Sequence, residues 1–165
     1  MRTAANASPT RGGDLSAKDA QIGSASENAT PVTEQNKQII RRFTDEVLNK
    51  GDLDAAGSYV AEDVVAQVPF PGQGPGLPGL KEVLRGMRNA FPDMHWTIEE
   101  QLAEGDKVLT RFVWTGTHRA EFLGVPATER RVSVWGMVID RLEDGKLKDT
   151  RILMDIFGLM KQPGG

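Results

Sequence analysis

The sequence contains no cysteine and only two histidines, and both shortages limit the chemistry that the chain can perform. Without cysteine it has no disulfide, no thiolate nucleophile and no zinc site built on cysteine ligands. His95 and His118 are too few for a histidine-rich metal site. A carboxylate metal site stays open, but no group of Asp and Glu has the spacing of a calcium or magnesium loop. We therefore predict no bound metal.

The chain also lacks an excess of basic residues and any long apolar run. Its 20 Lys and Arg are outnumbered by 23 Asp and Glu, which gives a formal net charge of -3. Nucleic acid is not expected as a partner, because phosphate binding needs clustered Lys and Arg. No membrane partner is expected either, because no stretch approaches the ~20 apolar residues that cross a bilayer. We take the cytoplasm as the default location.

Residues 1–32 are rich in Ala, Ser, Thr, Gly and Asn and have few branched aliphatic side chains. Such a segment buries too little apolar surface to offset the entropy of ordering it, so we predict a disordered tail. The segment has no apolar core of a signal peptide, and its acidic residues are not typical of a transit peptide. We predict a single domain over residues 33–161 and a short tail over 162–165.

The first half of this domain has the sequence pattern of three helices. Apolar residues recur at helical spacing over 33–51, and a second short helix can follow. Residues 62–68 predict a short strand. The segment 69–79 is rich in Pro and Gly, which predicts an irregular loop. The apolar residues of 80–90 predict the third helix.

From Met94 the apolar period changes from helical spacing to two, which is typical of strands. Four strands are predicted near 94–104, 107–119, 130–142 and 147–155. Apolar residues occur on both faces of the second and third of these, whereas an antiparallel sheet commonly leaves one face to water. We therefore expect helices on one face, and a pocket or a second subunit on the other, which predicts a homodimer.

This order of elements predicts an α+β fold. A curved, mostly antiparallel sheet with three N-terminal helices packed on it would form a cone-shaped α+β barrel. The apolar interior of such a cone suits a hydrophobic ligand.

Asp155 is the single carboxylate in the apolar run 152–160. A carboxylate in apolar surroundings tends to hold its proton, which is a property of a general acid or base. The alternative is that Asp155 caps a short C-terminal helix. On an extended strand Arg151 shares a side with Asp155 and could act as its electrophilic partner, although an ion pair with Asp149 is the commoner arrangement.

Six motifs then occur in a recognisable order. They are FTDEVLNKGDLD at 43–54, AFPD at 90–93, AEGDKV at 103–108, GTH at 116–118, FLGVPAT at 122–128, and DGK at 144–146 leading to Asp155. Together they resemble the SnoaL-like polyketide cyclases, which have the nuclear-transport-factor-2-like cone fold. The resemblance implies an enzyme of secondary metabolism, of the lyase or isomerase class. It would close a ring in a hydrophobic polyketide-like substrate by an intramolecular aldol-type reaction, without a cofactor and with Asp155 as catalytic acid/base.

The chain departs from this family at its usual histidine positions. Gln67 stands where members commonly carry His, and residues 149–151 replace an acid-His-Trp sequence. Substrate hydrogen bonds are therefore expected from Gln67, Trp135 and Arg151, with His118 as a further candidate. The departures keep open a SnoaL-like hydroxylase and an epoxide-opening or isomerising enzyme. A non-catalytic ligand-binding or dimerisation module is the alternative in which Asp155 is only a cap.

Overall fold

The computed structural model describes residues 30–164, and the predicted N-terminal tail lies almost entirely outside them. Helix α1 spans Val32–Phe43 and continues directly into a π-helical turn at Thr44–Asn49. Gly51 ends this segment with a φ of 76°, a left-handed conformation that favours glycine. Helices α2, at Ala56–Tyr59, and α3, at Gly76–Ala90, follow. The three predicted N-terminal helices are thus present.

Five strands form one sheet within the described residues. They are β1 (Val60–Ala66), β2 (His95–Glu104), β3 (Lys107–Thr117), β4 (Arg131–Glu143) and β5 (Lys146–Met154), and helix α4 (Ile156–Gly164) follows them. The strand order is β1-β5-β4-β3-β2, in which only the β1–β5 pair is parallel. Helix α1 packs on β2 and β3, and α3 packs on β1. The predicted α+β fold with a mostly antiparallel sheet is confirmed.

The two faces of the sheet differ in what covers them. On β3 and β4 the inward side chains are buried against the helices; they include Val108, Phe112, Trp114, Val132 and Val134. The outward side chains of β4 and β5 include Trp135, which is 48% exposed, and Leu153, which is 72% exposed. The predicted apolar character of both faces is therefore present, and residues 30–164 leave these side chains of the outer face exposed.

The end of the π-helical turn is held against the sheet by two side chains. The Asn49 amide accepts the backbone N–H of Trp96 at 2.7 Å and donates to its carbonyl at 3.0 Å. The Arg88 guanidinium, from α3, donates to the carbonyls of Leu48 and Asn49. These bonds hold the π-helical turn, α3 and the start of β2 together.

Helix α3 begins earlier than its sequence predicts, because residues 76–79 are helical. Pro78 lies in the first turn, where a missing N–H has no helical acceptor to lose. Gly79 permits the turn to close, since a Cβ there would lie 1.8 Å from the carbonyl oxygen of Gly74. The prediction of irregular structure was wrong for this part of the Pro- and Gly-rich segment. No helix within residues 30–164 is long and apolar enough to cross a membrane.

Candidate functional site

A row of polar side chains crosses the inner face of the sheet. Gln101 on β2 lies opposite Thr110 on β3, and Asp140 on β4 lies opposite Thr150 on β5. Directly opposed residues bring their side chains close enough to bond. Gln101 Nε2 donates to Thr110 Oγ1 at 3.2 Å, and the Thr150 hydroxyl is hydrogen-bonded to the Asp140 carboxylate. Four strands thus contribute one polar side chain each to the inner face of the sheet.

Thr110, Asp140 and Thr150 of this row line a cavity of about 110 Å³ between the sheet, α1, the π-helical turn, α3 and the segment after β1. Its polar lining residues are Thr44, Gln73, Thr110, Asp140 and Thr150, and the others are apolar or aromatic. A mostly apolar wall with a few polar groups is the usual composition of a small-molecule site.

Asp140 is the ionisable group of this cavity. Its side chain is only 4% exposed, and it takes part in no ion pair among residues 30–164. Burial raises the pKa of Asp140 to about 7, with a smaller contribution from the Asp149 charge, while the hydrogen bond from Thr150 acts in the opposite direction. A carboxyl group that titrates near neutrality can both accept and return a proton.

A model of the family described as SnoaL-like polyketide cyclase matches residues 38–163. The chain belongs to this family. A comparison with curated proteins finds no significant match. The match over most of the described residues agrees with the observed fold and with the resemblance seen in the ordered motifs.

Solved structures give the same result for this SnoaL-like chain. TsrD from Streptomyces laurentii is 27% identical with a TM-score of 0.74, covering 82% of this chain and 98% of its own. IdmH from Streptomyces antibioticus, assigned as a polyketide cyclase, is 29% identical with a TM-score of 0.70, covering 79% and 99%. AclR from Streptomyces galilaeus, assigned as a hydroxylase, is 25% identical with a TM-score of 0.69, covering 80% and 97%. Proteins assigned to different reactions are thus about equally similar.

Asp155, the acid predicted from the SnoaL-like motif, lies outside the cavity lining. It directly follows β5, and its Oδ1 accepts the backbone N–H of Gly158 at 2.8 Å at the start of α4. The side chain is half-buried rather than enclosed by the apolar run. Its contacts are those of a helix cap, which was the alternative reading. Its catalytic role stays a prediction that no contact in the structure supports.

Three of the predicted substrate-binding residues, Gln67, Trp135 and Arg151, lie outside the cavity lining. On β5 the even-numbered residues Thr150 and Ile152 face the cavity, so Arg151 faces outward. Arg151 Nε lies 3.5 Å from Asp149 Oδ1, and Gln67 Nε2 donates to Asp149 Oδ2 at 2.5 Å. Trp135 is on the outer face of β4. The structure therefore groups Gln67 and Arg151 around Asp149 and not around a substrate space.

His118, the fourth candidate, is buried just beyond the end of β3. Its ring stacks on Phe91 with centroids 5.2 Å apart, and its Nδ1 lies 3.1 Å from Thr128 Oγ1. Its backbone N–H and carbonyl also bond to the loop that returns to β4. These contacts anchor that loop, which agrees with a structural histidine.

Sequence reasoning missed Asp140, although a signal for it was present. Val132, Val134 and Val138 define the inward side of β4, and continuing by two reaches Asp140. A carboxylate on the inward side of a buried strand is a stronger anomaly than one at a strand end. Among residues 30–164 no group of three or more His, Cys, Asp or Glu side chains is arranged to hold a metal ion.

Proposed function

We propose that this SnoaL-like chain is an enzyme that performs cofactor-independent acid/base catalysis on a hydrophobic polyketide-like substrate, with Asp140 as the acid/base. The observation that carries the proposal is the buried Asp140 carboxyl at the wall of an apolar cavity, with a pKa raised to about 7. Perturbed carboxyl groups in clefts are concentrated at functional sites. The family supports the substrate class, and Asp140 replaces Asp155 as the group in contact with it.

An intramolecular aldol-type ring closure needs one base that later acts as an acid. The Asp140 carboxylate removes a proton from the carbon next to a substrate carbonyl, which leaves an enolate. The enolate carbon forms a bond to a second carbonyl carbon of the same molecule, whose C=O π pair moves to oxygen. Asp140 then returns the proton to this alkoxide, so the product is an isomer of the substrate. The apolar walls hold the substrate folded for this attack.

The cavity alone is small for a polycyclic substrate, since sites for drug-sized ligands hold roughly 300–1,000 Å³. A more open groove of about 750 Å³ adjoins it beside β1 and the start of α3. Ala66, Gln73, Leu80 and Thr150 line both spaces. We propose that the body of the substrate occupies this outer groove while its reacting carbons reach Asp140.

The outer sheet face provides the proposed partner surface. Trp135, Met137, Ile139 and Leu153 are exposed there, and clustered exposed apolar residues mark interaction sites. We propose that a second copy of the chain covers this face. The epoxide-opening alternative is not favoured, because Arg151, the partner that it requires, is on this outer face and paired with Asp149.

The first half of the reaction can be tested without the natural substrate. 2-Tetralone is an apolar bicyclic ketone, and exchange of its α-protons for deuterium in D₂O is measured by NMR. We expect the protein to accelerate this exchange and Asp140→Asn to reduce the rate by at least about 100-fold. Asp155→Asn is the matched control, because Asn also caps helices. Loss of exchange in Asp155→Asn with retention in Asp140→Asn would return the role to Asp155.

A further inference from the structure

Three threonines line the cavity, and they differ in whether their hydroxyl groups donate a hydrogen bond. Thr44 Oγ1 donates to the carbonyl of Ile40 at 2.9 Å, so its proton is committed to α1. The Thr150 hydroxyl is hydrogen-bonded to the Asp140 carboxylate, so its proton is committed too. Thr110 differs, because its oxygen accepts from Gln101 Nε2 and the bond leaves its own proton unused. Among residues 30–164, no hydrogen bond donated by Thr110 is found, and Gln101 Oε1 is the other atom of this pair that has no partner.

The Thr110 hydroxyl is buried, which makes its missing acceptor a sign of a ligand. Thr110 is only 3% exposed, and buried polar groups normally have a partner because an unmade hydrogen bond is costly in free energy. The hydroxyl lies at a cavity wall, so a ligand can supply the missing acceptor. Accepting the Gln101 bond also polarises the hydroxyl and strengthens its donation.

The position of Thr110 relative to Asp140 fits a defined role. Thr110 lies opposite Val138 on β4, two residues from Asp140 on the same inward side. Such diagonal neighbours are roughly 7–8 Å apart. This spacing accommodates one carbonyl group, with its oxygen on the Thr110 side and its adjacent carbon on the Asp140 side.

We propose that Thr110 donates a hydrogen bond to the carbonyl oxygen of the substrate, and that Gln101 is the positioning residue that holds Thr110 for this purpose. When Asp140 removes the α-proton, negative charge moves onto that oxygen, and the bond from Thr110 strengthens. This inference rests on the proposed function, because it places the reacting carbonyl in the same cavity.

The test compares Thr110 with Thr97, which lies on β2 outside the cavity lining, in the 2-tetralone exchange reaction. Thr110→Val removes the hydroxyl and keeps the shape, and we expect kcat to fall about 100-fold with a much smaller change in KM. Thr97→Val is the matched control and should stay within about threefold, because this exposed threonine of β2 lies outside the cavity lining. Thr110→Ser retains a donor and should recover most of the rate. Equal losses in Thr110→Val and Thr97→Val would overturn the proposal.

A second variant examines Gln101 without removing Thr110. Gln101→Glu keeps the shape but replaces the donating Nε2 with an oxygen that accepts the Thr110 proton, so we expect a loss similar to that of Thr110→Val. Unchanged activity would show that Gln101 already accepts this proton, and the proposal would fail.

Infrared spectroscopy of bound ketone separates this proposal from the function on which it rests. In the slow-reacting Asp140→Asn background, we expect the C=O stretch of ¹³C-labelled 2-tetralone to shift to lower frequency on binding. Adding Thr110→Val should reverse that shift. If Asp140→Asn abolishes exchange but Thr110→Val alters neither kcat nor the C=O stretch, the Thr110 role is wrong and the proposed function stands. If the ketone neither binds nor exchanges in the unaltered protein, both fail.

Discussion

Asp140 and Thr150 lie directly opposite each other on β4 and β5, and the hydroxyl of Thr150 bonds to the only carboxylate in the cavity lining of residues 30–164. The pairing of β4 with β5 therefore places the buried Asp140 carboxyl beside one neutral hydrogen-bond donor, the Thr150 hydroxyl. Burial favours the protonated carboxyl and the Thr150 bond favours the carboxylate, so the balance between them sets the pH at which Asp140 ionises.

Removing the Thr150 hydroxyl should move the pH dependence of catalysis to higher pH. The wild-type exchange rate should rise with pH and level off above about pH 7, because the carboxylate form of Asp140 is the proposed base. Thr150→Val removes a bond to the charged form, so the pKa of Asp140 rises and the midpoint should move up by about one pH unit. The pH profile of kcat/KM for 2-tetralone exchange measures this. A midpoint that stays fixed or moves down in Thr150→Val would contradict the assignment, whereas Thr44→Val should leave it in place.

Asp140 should also make the stability of the fold depend on pH. Its pKa is about 7 in the folded chain against an ordinary value of 3.8, so the folded state binds the proton more tightly. The associated stability is fully present below pH 3.8 and is lost as pH rises through about 7. Between pH 5 and pH 8 this corresponds to about 3 kcal/mol in the free energy of unfolding.

Urea unfolding of the wild type and of Asp140→Asn at pH 5 and pH 8 measures this contribution. The wild type should lose more stability than the variant over this range, and the difference between the two losses should approach that value. Parallel behaviour of both proteins would show that Asp140 is not buried as described. Asp155→Asn should behave like the wild type.

Asp155 should matter for stability rather than for turnover. Its side chain accepts one of the unpaired N–H groups at the start of α4, so Asp155→Ala should lower the free energy of unfolding by about 1 kcal/mol. Asp155→Asn retains a capping side chain and should cost only a few tenths. Urea unfolding gives both values, and the exchange assay gives the activity. A large loss of activity in a stable Asp155→Asn protein is the result that would reinstate the motif-based assignment.

Disrupting the outer sheet face should separate the proposed dimer. Trp135 is the largest exposed apolar side chain on β4, and buried aromatic residues carry much of the energy of protein interfaces. Trp135→Glu should weaken association by at least about 30-fold, as measured by sedimentation equilibrium. Val32→Glu, at an exposed position on α1, is the control for the added charge. Identical monomeric behaviour of wild type and Trp135→Glu would reject this partner surface.

A bulkier side chain where the outer groove meets the Asp140 cavity should weaken the binding of large substrates more than that of small ones. Ala66 lines both spaces, so Ala66→Leu adds bulk where a long substrate would pass. The KM of a tricyclic ketone should rise several-fold, while that of 2-tetralone should change little. Equal effects on both ketones would indicate that the groove is not part of the substrate site.

The sequence predicted the fold far better than the site, for physical reasons. Alternating apolar residues and the hairpin turns at Gly105 and Gly145, which have φ of 57° and 73°, mark the long strands locally. The helix start at Gly76 was missed because Pro and Gly at a first turn look the same as Pro and Gly in a loop. Fold and family thus follow from periodicity and ordered motifs.

The site depends on distant pairing that a linear pattern does not contain. Asp140 could have been identified by counting along β4, but its pairing with Thr150 depends on a register shift between Arg141 and Leu142. For Asp155, composition could not distinguish a cavity acid from a helix cap. The structure distinguishes them, because β5 ends at Met154 and α4 begins at Ile156, which places Asp155 at the helix start.

The parallel contact between β1 and β5 has a consequence for how the molecule assembles. Strands β2 to β5 join neighbours along the chain, whereas β1 must find a strand so distant that the Asp63–Lys148 ion pair spans 85 residues. Long-range pairings form slowly because a large loop must close first. Pulsed hydrogen exchange during refolding should therefore protect β3 and β4 before β1, and equal protection times would oppose this order. Since Ala66 belongs to the cavity wall, we expect the cavity to be complete only when β1 joins the sheet.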